Sequence, residues 1–416
     1  INQNGPREMG WRTTANNLNL NRDWLKADAP EMQAMLKLFS EWLPDFFADT
    51  HSTNGADYQY TVTWGLERSA NMDNNLVRII DDKFLPFMKS RMDESGYLTM
   101  PYAWFRQEDI SKGIAYGVAL PRFSNGYGSA QNRISLLVET HMLKPYKTRV
   151  FATKRMLEIV LEFANENQKE LVSANRKADE DAIKNFYSEK LPMPIQFKLA
   201  ERSEPYTFKG KKYIVDTSEI SGARRITYTN EDKDYVIPFF GESDVVHSVV
   251  APKYYYVPKE LEIIVERLKF HGVKFEVLEA DKNVEVTKYK FKNVKFQQNP
   301  YEGRHHVNFE FDKLKKNATL KKGGYLISPN QRTIRLILYA LEPSSEDSFV
   351  QWGFLNSIFE RKEYFEFYVM ERIAKEMLEA NPELKKEFEK KLLEDEKFRN
   401  DSFARLNFFY LKSNYS

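Results

Sequence analysis

Residues 134–139 have the sequence Ile-Ser-Leu-Leu-Val-Glu, and this short stretch decides how the first half of the chain is interpreted. Its near-continuous apolar run predicts a β-strand buried on both faces, as in a sheet that is covered by helices. The run ends at Glu139, so we expect this carboxylate at the end of a buried strand. Burial there would raise its pKa and suit it to proton transfer.

A second strand is predicted at residues 45–50, Asp-Phe-Phe-Ala-Asp-Thr, and His51 follows it directly. The residues before it predict an amphipathic helix that Asp28 would cap and Pro44 would end. A further helix is predicted from about residue 148 to 165, and the charged stretch at residues 175–181 is predicted to extend the helical structure. Strands therefore alternate with helices around a mixed sheet. Because open α/β sheets bind ligands at the carboxyl ends of strands, we expect His51 in a binding site.

The composition of the chain limits its class and its partners. The 416 residues are 42% hydrophobic and 14% aromatic, which is enough to bury a sizeable core. The net charge of +2, from 62 basic and 60 acidic residues, indicates neither a nucleic acid nor an anionic membrane as partner. Cysteine is absent, which excludes disulfides and thiolate metal sites. No run approaches the ~20 apolar residues of a membrane-spanning helix.

The patterning changes twice along the chain, so three regions are predicted. Residues 1–187 carry the α/β pattern. Residues 188–345 contain alternating apolar and polar stretches, which predict a β-rich accessory domain. Residues 346–416 are predicted to be a mainly helical tail, with a charged stretch typical of a solvated helix face.

Several side chains of the first region have the chemistry needed to hydrolyse a peptide bond next to a free carboxyl terminus. Glu139 could accept and return a proton, and the neutral imidazole of His51 could bind zinc. The guanidinium of Arg22, beside Asn21, could bind a carboxylate through paired hydrogen bonds. Each also has an ordinary interpretation: a structural histidine, a glutamate paired with a neighbouring cation, and a solvated arginine.

The order of these residues resembles that of the zinc carboxypeptidase family, the carboxypeptidase A-like metallopeptidases. The resemblance covers about residues 1–185, and residues 19–23, Asn-Leu-Asn-Arg-Asp, are its most specific segment. It implies these roles: carboxylate binding by Asn21 and Arg22, oxyanion stabilisation by Arg12 of the pair Trp11-Arg12, zinc binding by His51, and general base and acid catalysis by Glu139.

The family also has a tyrosine on a mobile loop that closes over the substrate. The resemblance implies Tyr127 for this role, because Gly126 and Gly128 give it flexible flanks. Tyr116, in Ala115-Tyr116-Gly117, is the alternative. Packing of the Tyr127 ring in the wall of a loop is the ordinary interpretation.

One part of the family pattern is absent from this sequence. The family supplies its first two zinc ligands from an H-x-x-E motif upstream of the Asn-Arg pair. None of the six histidines has a glutamate three residues later, and one imidazole cannot form a catalytic zinc site. We therefore expect these ligands upstream of Ile1, with only part of an α/β/α sandwich present here and no activity from this chain alone.

The resemblance implies zinc-dependent hydrolysis of a peptide or amide bond next to a free C-terminal carboxylate. The expected substrates are peptides or cell-wall peptides, and the expected location is extracellular or periplasmic. The alternative is a catalytically inactive pseudo-enzyme or a cell-surface protein that binds peptides or glycans. The large β-rich region favours this alternative.

Overall fold

The computed structural model describes residues 12–53, 55–360 and 364–413. The chain divides into two units, residues 1–355 and residues 356–416. Trp11, which the sequence pairs with Arg12, lies outside the described residues.

Helices and strands are numbered here in chain order. The α-helices are α1 (Pro30–Trp42), α2 (Asn74–Ile79), α3 (Leu85–Glu94), α4 (Ser124–Ala130), α5 (Tyr146–Ala182), α6 (Glu262–Phe270), α7 (Ile334–Leu341), α8 (Phe367–Ala380), α9 (Pro382–Glu394), α10 (Glu396–Asn400) and α11 (Ser402–Tyr410). The β-strands are β1 (Phe46–Thr53), β2 (Val62–Gly65), β3 (Thr99–Pro101), β4 (Trp104–Phe105), β5 (Ile114–Ala115), β6 (Ile134–His141), β7 (Met193–Leu199), β8 (Glu204–Thr217), β9 (Arg224–Phe240), β10 (Ser243–Val249), β11 (Tyr255–Val257), β12 (Glu276–Val277), β13 (Lys282–Phe296), β14 (Val307–Leu320) and β15 (Tyr325–Ile327).

Four strands of the first unit form a mixed sheet in the order β1-β6-β2-β3. β1 and β6 are parallel, β6 and β2 are antiparallel, and β2 and β3 are parallel. Every residue of β6 is buried, which confirms the prediction of a strand covered on both faces. Apolar side chains of α2, α3 and α5 share one core with β2 and β6, and α4 also lies against β6. The protein is therefore of the mixed α/β class.

The two predicted strands are longer than the sequence indicated. β1 continues to Thr53, and β6 continues to His141. His51 and Glu139 therefore lie within paired strands and not directly after them. Hydrogen bonds between β1 and β6 continue beyond the apolar residues from which the two strands were predicted, so both strands are longer.

Helix boundaries also differ from the sequence pattern in detail. α1 begins after Ala29, and no side chain caps it, because the carboxylate of Asp28 binds the guanidinium of Arg304 instead. α1 ends before Leu43, which adopts a left-handed conformation, and so stops just short of Pro44. α5 extends well past residue 165 and includes the charged residues 175–181, which confirms that this stretch continues the helical structure.

The region after residue 187 is rich in strands. β8 pairs with β9 and β13 pairs with β14, which makes two long antiparallel hairpins. β5 pairs with β9 in parallel, so a strand from before residue 187 joins a sheet with one from after it. Trp24 and Ile337 likewise belong to one hydrophobic core. The boundary between residues 1–187 and 188–345 stays a prediction, since both regions lie in the unit 1–355.

The second unit, residues 356–416, is helical where the structure describes it. Helices α8 to α11 surround their own apolar core. The buried members of that core are Met370, Ala374, Leu384, Phe398, Leu406, Phe408 and Phe409. Among the described helices of the whole chain, none combines the length and the apolar character needed to cross a membrane.

Candidate active site

The pairing of β1 with β6 brings His51 and Glu139 together. The two residues are direct partners in the parallel register. Paired strands lie about 4.8 Å apart and paired side chains project to the same face, so the imidazole and the carboxylate are neighbours. On its other side Glu139 pairs with Thr63 of β2. Residues that are 88 positions apart in sequence thus share one surface of the sheet.

Asp49 lies on the same face of the sheet as His51 and Glu139. It precedes His51 by two positions, and Nε2 of His51 lies 2.8 Å from Oδ2 of Asp49. Burial alone would lower the pKa of His51, but the hydrogen bond and charge of Asp49, together with the charge of Glu139, raise it. Burial would raise the pKa of Asp49, and the contact with His51 outweighs it, so that pKa is lowered. Each pKa shift favours the charged form of its group, the imidazolium of His51 and the carboxylate of Asp49.

Glu139 carries the buried carboxylate of this group. Its side chain is 7% exposed, and its Oε2 has no hydrogen-bond partner among the described residues. Burial raises the pKa of Glu139 to about 7, against the positive charges of His51, Arg12 and Arg22, which lower it. Those opposing effects place both arginines within electrostatic range of the carboxylate. This buried oxygen is an unused hydrogen-bond acceptor among the described residues. The pKa of the carboxyl group suits proton transfer near neutral pH.

The two arginines are held by a single-turn 3-10 helix, Leu20–Arg22. The side-chain oxygen of Asn19 accepts hydrogen bonds from the backbone N–H of Asn21 at 3.1 Å and from Nη2 of Arg12 at 3.4 Å. One asparagine thus caps the turn and brings Arg12 to it. This local capping explains why an Asn-x-Asn-Arg sequence folds as it does.

Asn21 is oriented by the start of α4. Its Oδ1 accepts a hydrogen bond from the backbone N–H of Ser124 at 3.0 Å. Because the oxygen is used in this way, the Nδ2 amide group is left as a donor. An amide donor beside a guanidinium is an arrangement that can bind a carboxylate.

Arg22 uses two of its three nitrogens within the protein. Nη1 donates to the backbone oxygen of Asn21 at 2.6 Å, and Nε donates to the hydroxyl of Tyr301 at 3.1 Å. The guanidinium carbon lies 4.6 Å from the centre of the Phe123 ring. Among the described residues, nothing accepts from Nη2, so this end of the guanidinium can receive an anion.

The predicted location of Tyr127 is wrong. Tyr127 lies in α4, is fully buried and packs against the rings of Trp24 and Phe39. Its hydroxyl lies 3.1 Å from Nδ1 of His271 and accepts from Nε2 of Gln131 at 2.7 Å. Glycines on both sides of this tyrosine suggested a flexible loop, but they serve close helix packing: a Cβ on Gly126 would lie 2.2 Å from a backbone oxygen.

Tyr116, the alternative, is half-buried and bound at its hydroxyl. That hydroxyl accepts from the backbone N–H of Leu66 at 2.6 Å and donates to the backbone oxygen of Leu66 at 2.5 Å. Neither tyrosine chosen from the sequence is an exposed group beside Glu139.

An exposed tyrosine beside Glu139 does exist, at a position that sequence analysis missed. Tyr102 directly follows β3 and is 40% exposed. Burial and the negative charge of Glu139 raise its pKa, and a hydrogen bond with Thr53 opposes them. Tyr58 is also within electrostatic range of Glu139. Burial and the charges of Tyr102 and Glu139 raise the pKa of Tyr58. No sequence signal marks either ring, because sheet pairing alone brings them here.

Asp49 could have been found from the sequence. Residues two apart on a strand share a face, so a strand through Asp49 and His51 already places the carboxylate beside the imidazole. His51 is the only histidine of this group. Within residues 12–53, 55–360 and 364–413, no three His, Cys, Asp or Glu side chains are arranged to hold a metal ion. The described residues by themselves therefore do not fit a zinc site.

Comparison with curated proteins finds distant similarity to proteins named carboxypeptidase 2. That of Trichophyton rubrum is 24% identical over 363 residues, which cover 83% of this chain and 63% of the relative. That of Trichophyton equinum is 23% identical over 361 residues, covering 82% and 63%. The chain therefore spans 63% of the length of these relatives. No protein-family model and no solved structure matches the chain. The names support a relationship with carboxypeptidases without specifying the catalytic type.

Proposed function

We propose that the protein hydrolyses a peptide or amide bond next to a free C-terminal carboxylate. The observation that carries the proposal is the register of β1 and β6, which sets His51 beside Glu139 within electrostatic range of Arg12 and Arg22. The distant similarity to carboxypeptidase 2 proteins supports the same class of reaction. Because the chain spans 63% of those relatives, the activity is proposed for the whole protein.

Substrate recognition in this proposal depends on the terminal carboxylate. Nδ2 of Asn21 and Nη2 of Arg22 are the two donors that their other contacts leave unused among the described residues. Two donors at one anion give charge-assisted bonds and a fixed orientation. A peptide amide lacks the negative charge, so it would bind more weakly.

The chemistry in this proposal uses Glu139 and Arg12. Glu139 takes a proton from the attacking water, and the tetrahedral oxyanion that forms is stabilised by the guanidinium of Arg12. Glu139 then returns the proton to the leaving amine. Its raised pKa, about 7, makes both transfers accessible near neutral pH.

Zinc dependence remains a prediction from the resemblance. His51 would supply one imidazole, and the remaining ligands would have to come from outside the described residues. When bound, zinc would polarise the scissile carbonyl and acidify the attacking water. The α/β/α sandwich of the whole domain and an extracellular or periplasmic location are proposed on the same resemblance.

The test is release of the C-terminal residue from N-acetylated tripeptides by the full-length protein. The substitution Glu139→Gln removes the proton carrier but keeps the shape of the side chain. We expect turnover to fall by about 10²- to 10⁴-fold, the usual effect of a general acid–base group. Metal analysis of both proteins should find the same zinc content.

Glu67→Gln is the matched control, since Glu67 is another buried glutamate whose pKa burial raises to about 7. It should retain turnover. Turnover by Glu139→Gln at the wild-type rate would overturn the assignment. Binding of the peptides without hydrolysis by the wild-type protein would favour the alternative of a peptide-binding protein.

A further inference from the structure

A turn from the β-rich region lies against the candidate carboxylate-binding residues. The turn Tyr301–Arg304 lies between β13 and β14, about 280 residues after the segment it contacts. The Tyr301 hydroxyl accepts a hydrogen bond from Nε of Arg22 at 3.1 Å. Oε2 of Glu302 accepts one from the backbone N–H of Asn19 at 2.8 Å. Two consecutive residues of the turn therefore bind the two ends of the Asn19–Arg22 segment.

The backbone of this turn holds one residue with a Cβ in a left-handed conformation. Tyr301 and Arg304 exchange backbone hydrogen bonds of 2.8 and 3.1 Å, and the two residues between them have positive φ. Gly303, at φ +76°, tolerates this conformation, but Glu302, at φ +52°, does not do so easily. A left-handed conformation is sterically disfavoured for a residue with a Cβ. The same residue, Glu302, makes a tertiary contact, because its side chain accepts the hydrogen bond from the backbone N–H of Asn19.

The other end of the turn is fixed as well. Nε and Nη2 of Arg304 donate to the two oxygens of Asp28 at 2.6 and 2.7 Å. Burial raises the pKa of Asp28, but the bonds and charges of Arg304 and Lys26 outweigh it, so that pKa is lowered. The Arg304 guanidinium also lies 3.5 Å from the centre of the Phe354 ring. The turn is thus bound on both sides and presents a rigid surface to Arg22.

We propose that the Tyr301–Arg304 turn is part of the carboxylate-binding site, with Tyr301 as the positioning residue for Arg22. This inference rests on the proposed function. A free guanidinium rotates about several bonds, and each bond it makes within the protein restricts it. With Nε held by Tyr301 and Nη1 by Asn21, the unused Nη2 has a fixed direction. The C-terminal carboxylate of a peptide is the ligand that this direction selects.

The experiment measures binding by the full chain with calorimetry. The probes are a set of N-acetylated tripeptides with a free C-terminal acid and the same peptides as C-terminal amides. Wild-type protein should bind the acids more tightly than the amides. Tyr301→Phe removes only the hydroxyl and keeps the ring packed against Trp352 and His306. We expect it to weaken acid binding by about twofold to tenfold, the effect of one hydrogen bond, without changing amide binding.

Two further variants make the result specific. Glu302→Asn suits the left-handed backbone but shortens the side chain that reaches Asn19, so it should also reduce the preference for acids. Tyr256→Phe is the control, because it removes a hydroxyl bound to the backbone of Lys321, and it should leave the preference unchanged.

The outcomes separate the two proposals. A wild-type protein that binds acids and amides equally would overturn the proposed function and this inference together. A wild-type preference for acids that Tyr301→Phe and Glu302→Asn both retain in full would overturn this inference alone. Loss of the preference in these two variants but not in Tyr256→Phe would support it.

Discussion

Glu139 and Glu67 are both buried glutamates whose pKa burial raises to about 7, but the groups around them differ. Glu67 accepts hydrogen bonds from Nδ2 of Asn71 at 2.6 Å, from Nδ2 of Asn125 at 2.7 Å and from the backbone N–H of Ala119 at 3.2 Å. Glu139 has an oxygen without a partner among the described residues, and charged groups act on it: His51, Arg12 and Arg22 as cations, and Asp49 as an anion.

The difference separates a structural carboxylate from a candidate catalytic one. A buried polar atom that lacks a partner destabilises the fold by about 1–3 kcal/mol, so its retention calls for a reason outside stability. The neutral amides around Glu67 connect residues 67–71 to residues 119–125. The charges around Glu139 instead suit a reacting group. A raised pKa alone does not distinguish the two, but hydrogen bonding does.

The largest effect on stability is expected from the protonation of Glu67, which makes the free energy of unfolding depend on pH. Burial raises the pKa of Glu67 in the folded protein to about 7, above the usual glutamate value of 4.5, so between these pH values the folded protein binds this proton more fully than the unfolded chain does. Its stabilising contribution is full below about pH 4.5 and is lost as pH rises through 7. The slope is at most about 1.4 kcal/mol per pH unit.

Urea unfolding of wild type and Glu67→Gln at several pH values isolates this contribution. The stability of wild type relative to the variant should fall as pH rises from 4.5 to 7. If the difference in stability between wild type and Glu67→Gln stayed constant over that range, the pKa of Glu67 would not be raised, and Glu67 could not be compared with Glu139.

Asn125→Ala should lower the free energy of unfolding by about 1–3 kcal/mol, a smaller effect than the pH-dependent contribution of Glu67. The substitution removes one of the donors to Glu67 and leaves part of a buried acid unsatisfied. Thermal or urea unfolding at pH 7 measures it. Asn75→Ala, which removes a surface acceptor of Arg78, is a suitable control and should have little effect. Equal effects of the two substitutions would contradict a structural role for the Glu67 network.

Arg12→Gln should have the smallest effect on stability, under about 0.5 kcal/mol, as is usual for exposed positions. Arg12 is exposed, and its Nη2 donates a hydrogen bond of 3.4 Å to the side-chain oxygen of Asn19. Urea unfolding at pH 7 provides the measurement. A loss as large as that of Asn125→Ala would show that the groups around Glu139 also serve the fold.

Much of the candidate site follows from local sequence patterns. The apolar run before Glu139 predicted a buried strand, and all eight residues of β6 are buried. The Asn-x-Asn-Arg segment forms a self-capped turn, which explains why a short motif is informative. Tyr127 was misplaced because flanking glycines are compatible with both a flexible loop and a tightly packed helix. Tyr102 and Tyr301 had no local pattern, since their neighbours in the site are distant in sequence.

The sequence by itself determined which groups the protein has and which short elements carry them: a buried strand before Glu139, a strand bearing His51, and a capped turn bearing Asn21 and Arg22. These depend on side-chain periodicity and on hydrogen bonds between near neighbours. Only the tertiary structure decided that β1 pairs with β6 in the register that makes His51 and Glu139 partners. It also decided that Tyr301 binds Arg22. Both results depend on contacts between distant segments, which form only when the whole core packs.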